Sequence, residues 1–160
     1  FFCDLEALYR GCSTSNRQSL ETVGYGFDYT RLPVLGEIAV TYRCNLKCGK
    51  CYVGERAVGP ELATTEWIDI FGRLWAAGTP QIVFTGGEPT LRDDIVDLVS
   101  EADEFVTGLV TNGTRLAELA AALRDASLDY VQVTVESFDP RIHDRITCVE
   151  GSHARTAAGS

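Results

Sequence analysis

Gln81-Ile-Val-Phe-Thr85 runs straight into Gly86-Gly-Glu-Pro89, and that junction decides the fold. Branched and aromatic residues in a short run suit a buried strand, and the Gly-Gly-Glu-Pro sequence breaks it at once. Thr90 then precedes Asp93 by three residues, a capping-box-like start for a helix through Asp103. The same unit recurs downstream. Phe105–Val110 reads as a strand closed by the turn Thr111-Asn-Gly113, and Leu116–Ala126 as a helix burying Leu116, Leu119, Ala120 and Leu123. Tyr130–Val135 is a further strand, with a short helix over Arg141–Ile146 after Asp139-Pro140. Upstream, Glu37–Tyr42 is the first strand and Thr64–Ala77 the first helix. Thr64 or Thr65 is its expected cap and Gly78 its stop. Its stripe of Trp67, Ile68, Phe71, Leu74 and Trp75 falls at three-and-four spacing and is expected to face a core. Strands that alternate with helices at a repeat of roughly 25 residues are the signature of parallel βα units.

Each unusual motif follows one of these strands. Cys44, Cys48 and Cys51 follow the first, Gly86-Gly-Glu88 the second, Thr111-Asn-Gly113 the third, and Thr134-Val-Glu-Ser137 closes the fourth. Parallel βα proteins gather ligands where strands end and loops begin, so four loops are expected to converge on one face. The C-x-x-x-C-x-x-C spacing supplies three thiolates from one short loop. A closed tetrahedral metal site takes four protein ligands, as do most iron–sulfur clusters. Three ligands leave a corner for something that is not protein.

The chain has 160 residues, 45% of them hydrophobic and 23% charged, ordinary values for a globular domain. Acidic residues number 23 against 14 Lys plus Arg, a formal charge of −9, which disfavours nucleic acid and anionic membrane as partners. Six cysteines with three in one tight motif read as metal ligation in a reducing, cytoplasmic setting and not as a disulfide framework. Residues 1–34 are expected to be an irregular lead-in containing Cys3 and Cys12, and residues 35–160 the core domain. The chain begins Phe1-Phe2, has no methionine and stops at Ala157-Ala-Gly-Ser160 in what reads as an opening helix, so a fragment cut at both ends is expected.

In combination, the cysteine triplet, Gly86-Gly87-Glu88-Pro89 and the polar end of the fourth strand resemble the radical SAM superfamily from about Leu35 onward. The segments Thr85–Arg92 and Val131–Ser137 are similar to its SPASM-type branch, whose members modify peptides, mature sulfatases or build cofactors. The resemblance implies an α/β fold, part of a (β/α)6 partial TIM barrel with about four strands present. It implies that Cys44, Cys48 and Cys51 hold three irons of a [4Fe-4S] cluster, the fourth iron chelating S-adenosylmethionine. One electron then breaks a carbon–sulfur bond, and the 5′-deoxyadenosyl radical takes a hydrogen atom from a peptide or small-molecule cofactor precursor. The electron donor implied is a flavodoxin or ferredoxin. Gly86 and Gly87 would admit the methionine moiety close to the backbone, Glu88 would offer an acceptor near its ammonium, and Thr134 and Glu136 would meet ribose or methionyl groups. Tyr52 and Asn112 complete the expected cofactor contacts.

The chain departs from the family in one place that matters: Lys50 precedes the last cysteine where relatives usually carry an aromatic residue, and Tyr52 follows it. Two readings of the triplet stay open. One is the radical enzyme; the other is a non-catalytic zinc or iron–sulfur module that binds a partner. RNA-modifying members of the superfamily fit the acidic balance less well. For Glu136, cofactor contact is weighed against a structural ion pair, and for Thr111-Asn-Gly113 cofactor contact against a plain turn. Cys3, Cys12 and Cys148 are expected to be free thiols or ligands of something outside this segment, and His143 and His153 exposed helix residues without a role.

Overall fold

The computed structural model describes residues 34–54 and 59–159. Apart from Val34, the expected lead-in with Cys3 and Cys12 lies outside them. Four strands, β1 (Gly36–Thr41), β2 (Gln81–Gly86), β3 (Val106–Thr111) and β4 (Tyr130–Val133), form one sheet in sequence order. All three pairings are parallel. Helices α1 (Thr64–Ala76), α2 (Ile95–Ser100) and α3 (Leu116–Asp125) make the crossovers, and α4 (Pro140–Thr147) and α5 (Ser152–Gly159) follow β4. This is the expected α/β arrangement, four units of a partial TIM-like barrel.

The core lies between sheet and helices. Val40, Ile82, Phe84 and Leu109 from the strands pack against Trp67 and Phe71 of α1, Ile95, Leu98 and Val99 of α2, and Leu116 and Leu123 of α3. Phe71 stands edge-on to Phe84 with ring centroids 6.0 Å apart, an arrangement the ring quadrupoles favour. Trp75, expected in the core, is instead 44% exposed at the rim, edge-on to Phe105. Ala120 is exposed where burial was expected, because the buried face of α3 is narrowed to Leu116 and Leu123 with Leu119 half-buried beside them.

Helix starts differ from expectation for one shared reason: the threonines are engaged elsewhere. The N-cap of α1 is Ala63, whose N–H donates to Glu66 (2.8 Å), while the Thr64 hydroxyl donates to Asp94 at 2.6 Å. Thr90 does not open a helix to Asp103. Its hydroxyl and N–H donate to Glu88, residues Pro89–Leu91 form a 3-10 turn, and α2 is confined to Ile95–Ser100. His143 is fully buried, not exposed, and its Nδ1 accepts the Glu136 N–H at 3.3 Å. His153, half-buried, stands edge-on to it with centroids 5.3 Å apart. The pattern around His143 misled because α4 lies between the end of β4 and α5, covering a residue that an isolated amphipathic helix would expose.

Candidate active site

The loop after β1 is held in place by the chain leaving β2. Gly87 N–H donates to Thr41 O and Glu88 N–H to Arg43 O, both at 2.8 Å. Gly86 has φ +143°, and a Cβ there would run into the Thr41 carbonyl; a Cβ on Gly87 would meet the Arg43 carbonyl. Two glycines in sequence are therefore required simply for β1 and β2 to deliver their loops side by side. The cysteine loop itself is built of tight turns, with Cys51 N–H donating to Cys48 O and Gly54 N–H to Cys51 O, each at 3.1 Å. Lys47 N–H donates to Thr147 O at 2.9 Å, tying the loop to the end of α4.

One cleft of about 230 Å³ collects the ends of all four strands. Cys44, Cys48, Cys51 and Tyr52 line it from the first loop, Gly86 and Gly87 from the second, Asn112 from the third, and Thr134 and Glu136 from the fourth. Nine of the ten residues singled out from the sequence thus share one concavity. A larger hollow of about 370 Å³, lined by Glu61 and Trp67 beside β1, contains no thiol.

Glu88 is the exception. Its side chain is turned away from the cleft and has no exposed surface. Oε1 accepts from the Thr90 N–H (3.0 Å), the Thr90 hydroxyl and the Thr111 hydroxyl (2.7 Å), and Oε2 from the Asn112 N–H (2.7 Å). The expectation of an acceptor facing an ammonium does not match this placement. Glu88 is a strut between the β2 and β3 loops, because those four donors satisfy it inside the protein.

Through that strut Asn112 is aimed at the first cysteine. Its Nδ2 donates to Asn45 Oδ1 at 2.9 Å and lies 4.0 Å from Cys44 Sγ, while its Oδ1 accepts from the Thr114 N–H and hydroxyl. Asn45 Nδ2 donates to Thr114 Oγ1 at 2.8 Å, closing a small polar ring. The Leu46 N–H points at the same sulfur from 3.4 Å. Sequence reasoning missed Asn45 and Thr114, whose partnership spans 69 positions and leaves no local signal.

The electrostatics are specific. Burial pushes the Cys44 thiol up, with the Glu88 charge adding to it, and burial followed by the Glu136 carboxylate pushes Cys48 up. Metal binding at such thiols must displace protons, which couples affinity to pH. Glu136 is paired with Lys50, Oε2 to Nζ 2.6 Å, and that contact holds the Lys50 ammonium pKa above its ordinary value. All four cysteines among the described residues are free thiols. Three of them on one cleft wall are a donor set suited to soft metal centres. Among the described residues no three His, Cys, Asp or Glu side chains converge on a single-ion position. A multi-iron cluster, ligated at separate corners, does not require such convergence.

Residues 38–159 match the radical SAM superfamily, and the chain belongs to that superfamily. It is 37% identical over 142 residues to the PqqA peptide cyclase of Rhodopseudomonas palustris, covering 85% of this chain and 37% of that relative. It is 38% identical over 112 residues to a probable GTP 3',8-cyclase of Methanopyrus kandleri, covering 69% of this chain and 36% of the other. The chain thus spans little more than a third of the length of these curated relatives. Its fold resembles that of Streptococcus suis SuiB bound to the precursor peptide SuiA, with a TM-score of 0.65 and 22% identity over 77% of this chain and 29% of SuiB. BtrN in complex with AdoMet and 2-DOIA has the same fold, at a TM-score of 0.58 and 18% identity over 78% of this chain and 55% of BtrN.

Proposed function

We propose that this chain carries the cluster and S-adenosylmethionine site of a radical SAM enzyme of the SPASM-type branch, acting on a peptide. The observation that carries the reading is the convergence of three thiols with the strand ends that bear Gly86-Gly87, Asn112, Thr134 and Glu136. The donor set fits a [4Fe-4S] cluster, since Cys44, Cys48 and Cys51 would hold three irons and leave the fourth to a ligand. When bound, such a cluster would supply one electron for the reductive cleavage of S-adenosylmethionine, the chemistry that would start hydrogen abstraction from substrate.

The chain's own residues supply position and enclosure. Gly86 and Gly87 line the same cleft as the thiols with bare backbone, against which a methionyl group can lie without a side chain in its way. Thr134 offers a hydroxyl and Glu136 a carboxylate at the β4 end, acceptors suited to ribose hydroxyls or an ammonium. Tyr52, 82% exposed, is available to cover an aromatic group as the cleft fills. A peptide is preferred as substrate because the PqqA peptide cyclase is named for one and the fold neighbour SuiB is bound to one. Fold does not determine substrate, and the small-molecule cofactor precursor is the alternative within this reading. The electron is expected from a flavodoxin or ferredoxin.

Anaerobic reconstitution with iron and sulfide tests the proposal. The protein is expected to turn brown, with about four irons per chain, and Cys48→Ala to lose the chromophore. Under strong reductant, S-adenosylmethionine is expected to yield 5′-deoxyadenosine. Colourless protein retaining one zinc would favour the binding-module reading and reject this one.

A further inference from the structure

Lys50 and Glu136 are the two charged side chains among the residues that line the cleft; the rest of the lining is thiol, hydroxyl, amide, bare backbone or apolar. Lys50 stands between Cys48 and Cys51 in the chain, and its Nζ meets Glu136 Oε2 at 2.6 Å. The two sides of that contact are built differently. Glu136 is only 12% exposed and its backbone N–H is pinned by the buried His143, whereas Lys50 is 68% exposed on a loop. A surface ion pair of this kind contributes little to stability. Its position beside the thiols gives it another consequence. Cluster potentials respond to local net charge, and the surrounding chain, at −9, already opposes the arrival of an electron.

We propose that the Lys50–Glu136 pair sets the reduction potential at the cysteine site, the lysine cancelling a fixed carboxylate that would otherwise favour the oxidised cluster. The inference rests on the radical SAM reading and concerns only what these two side chains do toward the cluster. Glu136 remains on the cleft wall because the end of β4 and His143 hold its backbone. Lys50 is brought to it by the cysteine loop, so the compensating charge arrives together with the metal ligands. A lysine at this position, where the family usually has an aromatic residue, is accounted for by the nearby carboxylate it neutralises. Both groups are positioning residues in this role and need not touch the reacting atoms.

The test is a redox titration followed by electron paramagnetic resonance on the anaerobically reconstituted protein, without S-adenosylmethionine. Lys50→Gln is expected to move the midpoint to more negative potential and Glu136→Gln to more positive potential. The double variant is expected to return close to the wild-type midpoint, and Lys50→Arg to leave it unmoved. Iron content and far-ultraviolet circular dichroism identify any variant that has lost the cluster or the fold, in which case the remaining neutralising variant carries the comparison, with Lys50→Arg or Glu136→Asp as the charge-keeping control at an unmoved midpoint. Single variants with wild-type iron content whose midpoints do not move, or move in the same direction, overturn the proposal even if their melting temperatures fall. Wild-type protein that assembles no cluster rejects the radical SAM reading, and this inference with it.

Discussion

Glu88 is fully buried and charged, a combination that is tolerated only where donors surround the carboxylate. Two of its donors are peptide N–H groups, of Thr90 and Asn112, which cannot reverse their polarity as hydroxyls can. A glutamine at this position can turn its one oxygen toward only one of them. Glu88→Gln is therefore expected to lower unfolding free energy by about 1–3 kcal/mol, measured by urea denaturation, although the side chain is nearly isosteric. Unchanged stability would show that the four contacts are not what keeps Glu88 inside. The sequence made Glu88 visible as part of a motif but not the direction of its side chain. That direction depends on Thr111 and Asn112, which lie 23 and 24 positions away. Lys50 was visible only as a departure from its family, and its partner emerges from the fold.

At the scale of elements, periodicity marked the four strands and the crossover helices, because alternation and three-and-four spacing are local properties; α5 was read only from its last residues. What it could not mark were ends that tertiary contacts decide. The start of α2 depends on Arg92, whose guanidinium donates to Val40 O and Leu62 O (3.1 Å each) and binds both oxygens of Asp94. Asp94, also accepting from Thr64, thereby links α1 to α2. The Arg92 contact holds its carboxyl below the usual carboxylate range. A carboxyl lowered in the folded state stabilises fully above its unfolded value of about 3.9, and that contribution is lost as pH falls through the lowered folded value. Wild-type protein is expected to lose more stability than Asp94→Asn between neutral pH and about pH 2, as read from melting temperatures across that range. Parallel curves would remove Asp94 from the acid response. The junction of β1 with β2 permits a second test. Gly87→Ala places a methyl against the Arg43 carbonyl and must push the cysteine loop outward. A loss of at least about 1–3 kcal/mol in thermal unfolding is expected, together with poorer iron retention after reconstitution. An alanine variant as stable and as iron-rich as wild type would mean that the two loops can separate without consequence.

For the whole molecule, the four-loop face was legible because each motif could be assigned to a strand end, and parallel strands end on one side. Among the described residues β4 pairs on one side only, with β3, through Gly108↔Tyr130 to Thr111↔Val133. Val131 (39% exposed), Val135 (43%) and Phe138 (96%) lie on or just beyond that edge. An unpaired strand with apolar neighbours offers its N–H and C=O groups to any other chain, and salt at about 0.1 M screens the repulsion from the net charge of −9 beyond about 10 Å, so copies can approach. Residues 1–160 in isolation are therefore expected to self-associate with rising concentration, as seen by size-exclusion chromatography with light scattering. Val131→Lys puts a charge on the strand without removing a ladder bond, and it is expected to restore a monomer while leaving the melting transition nearly unchanged. Wild-type chain that stays monomeric and melts cooperatively at high concentration would mean the edge is already protected. A lysine variant that associates as strongly as wild type would move the contact surface away from β4.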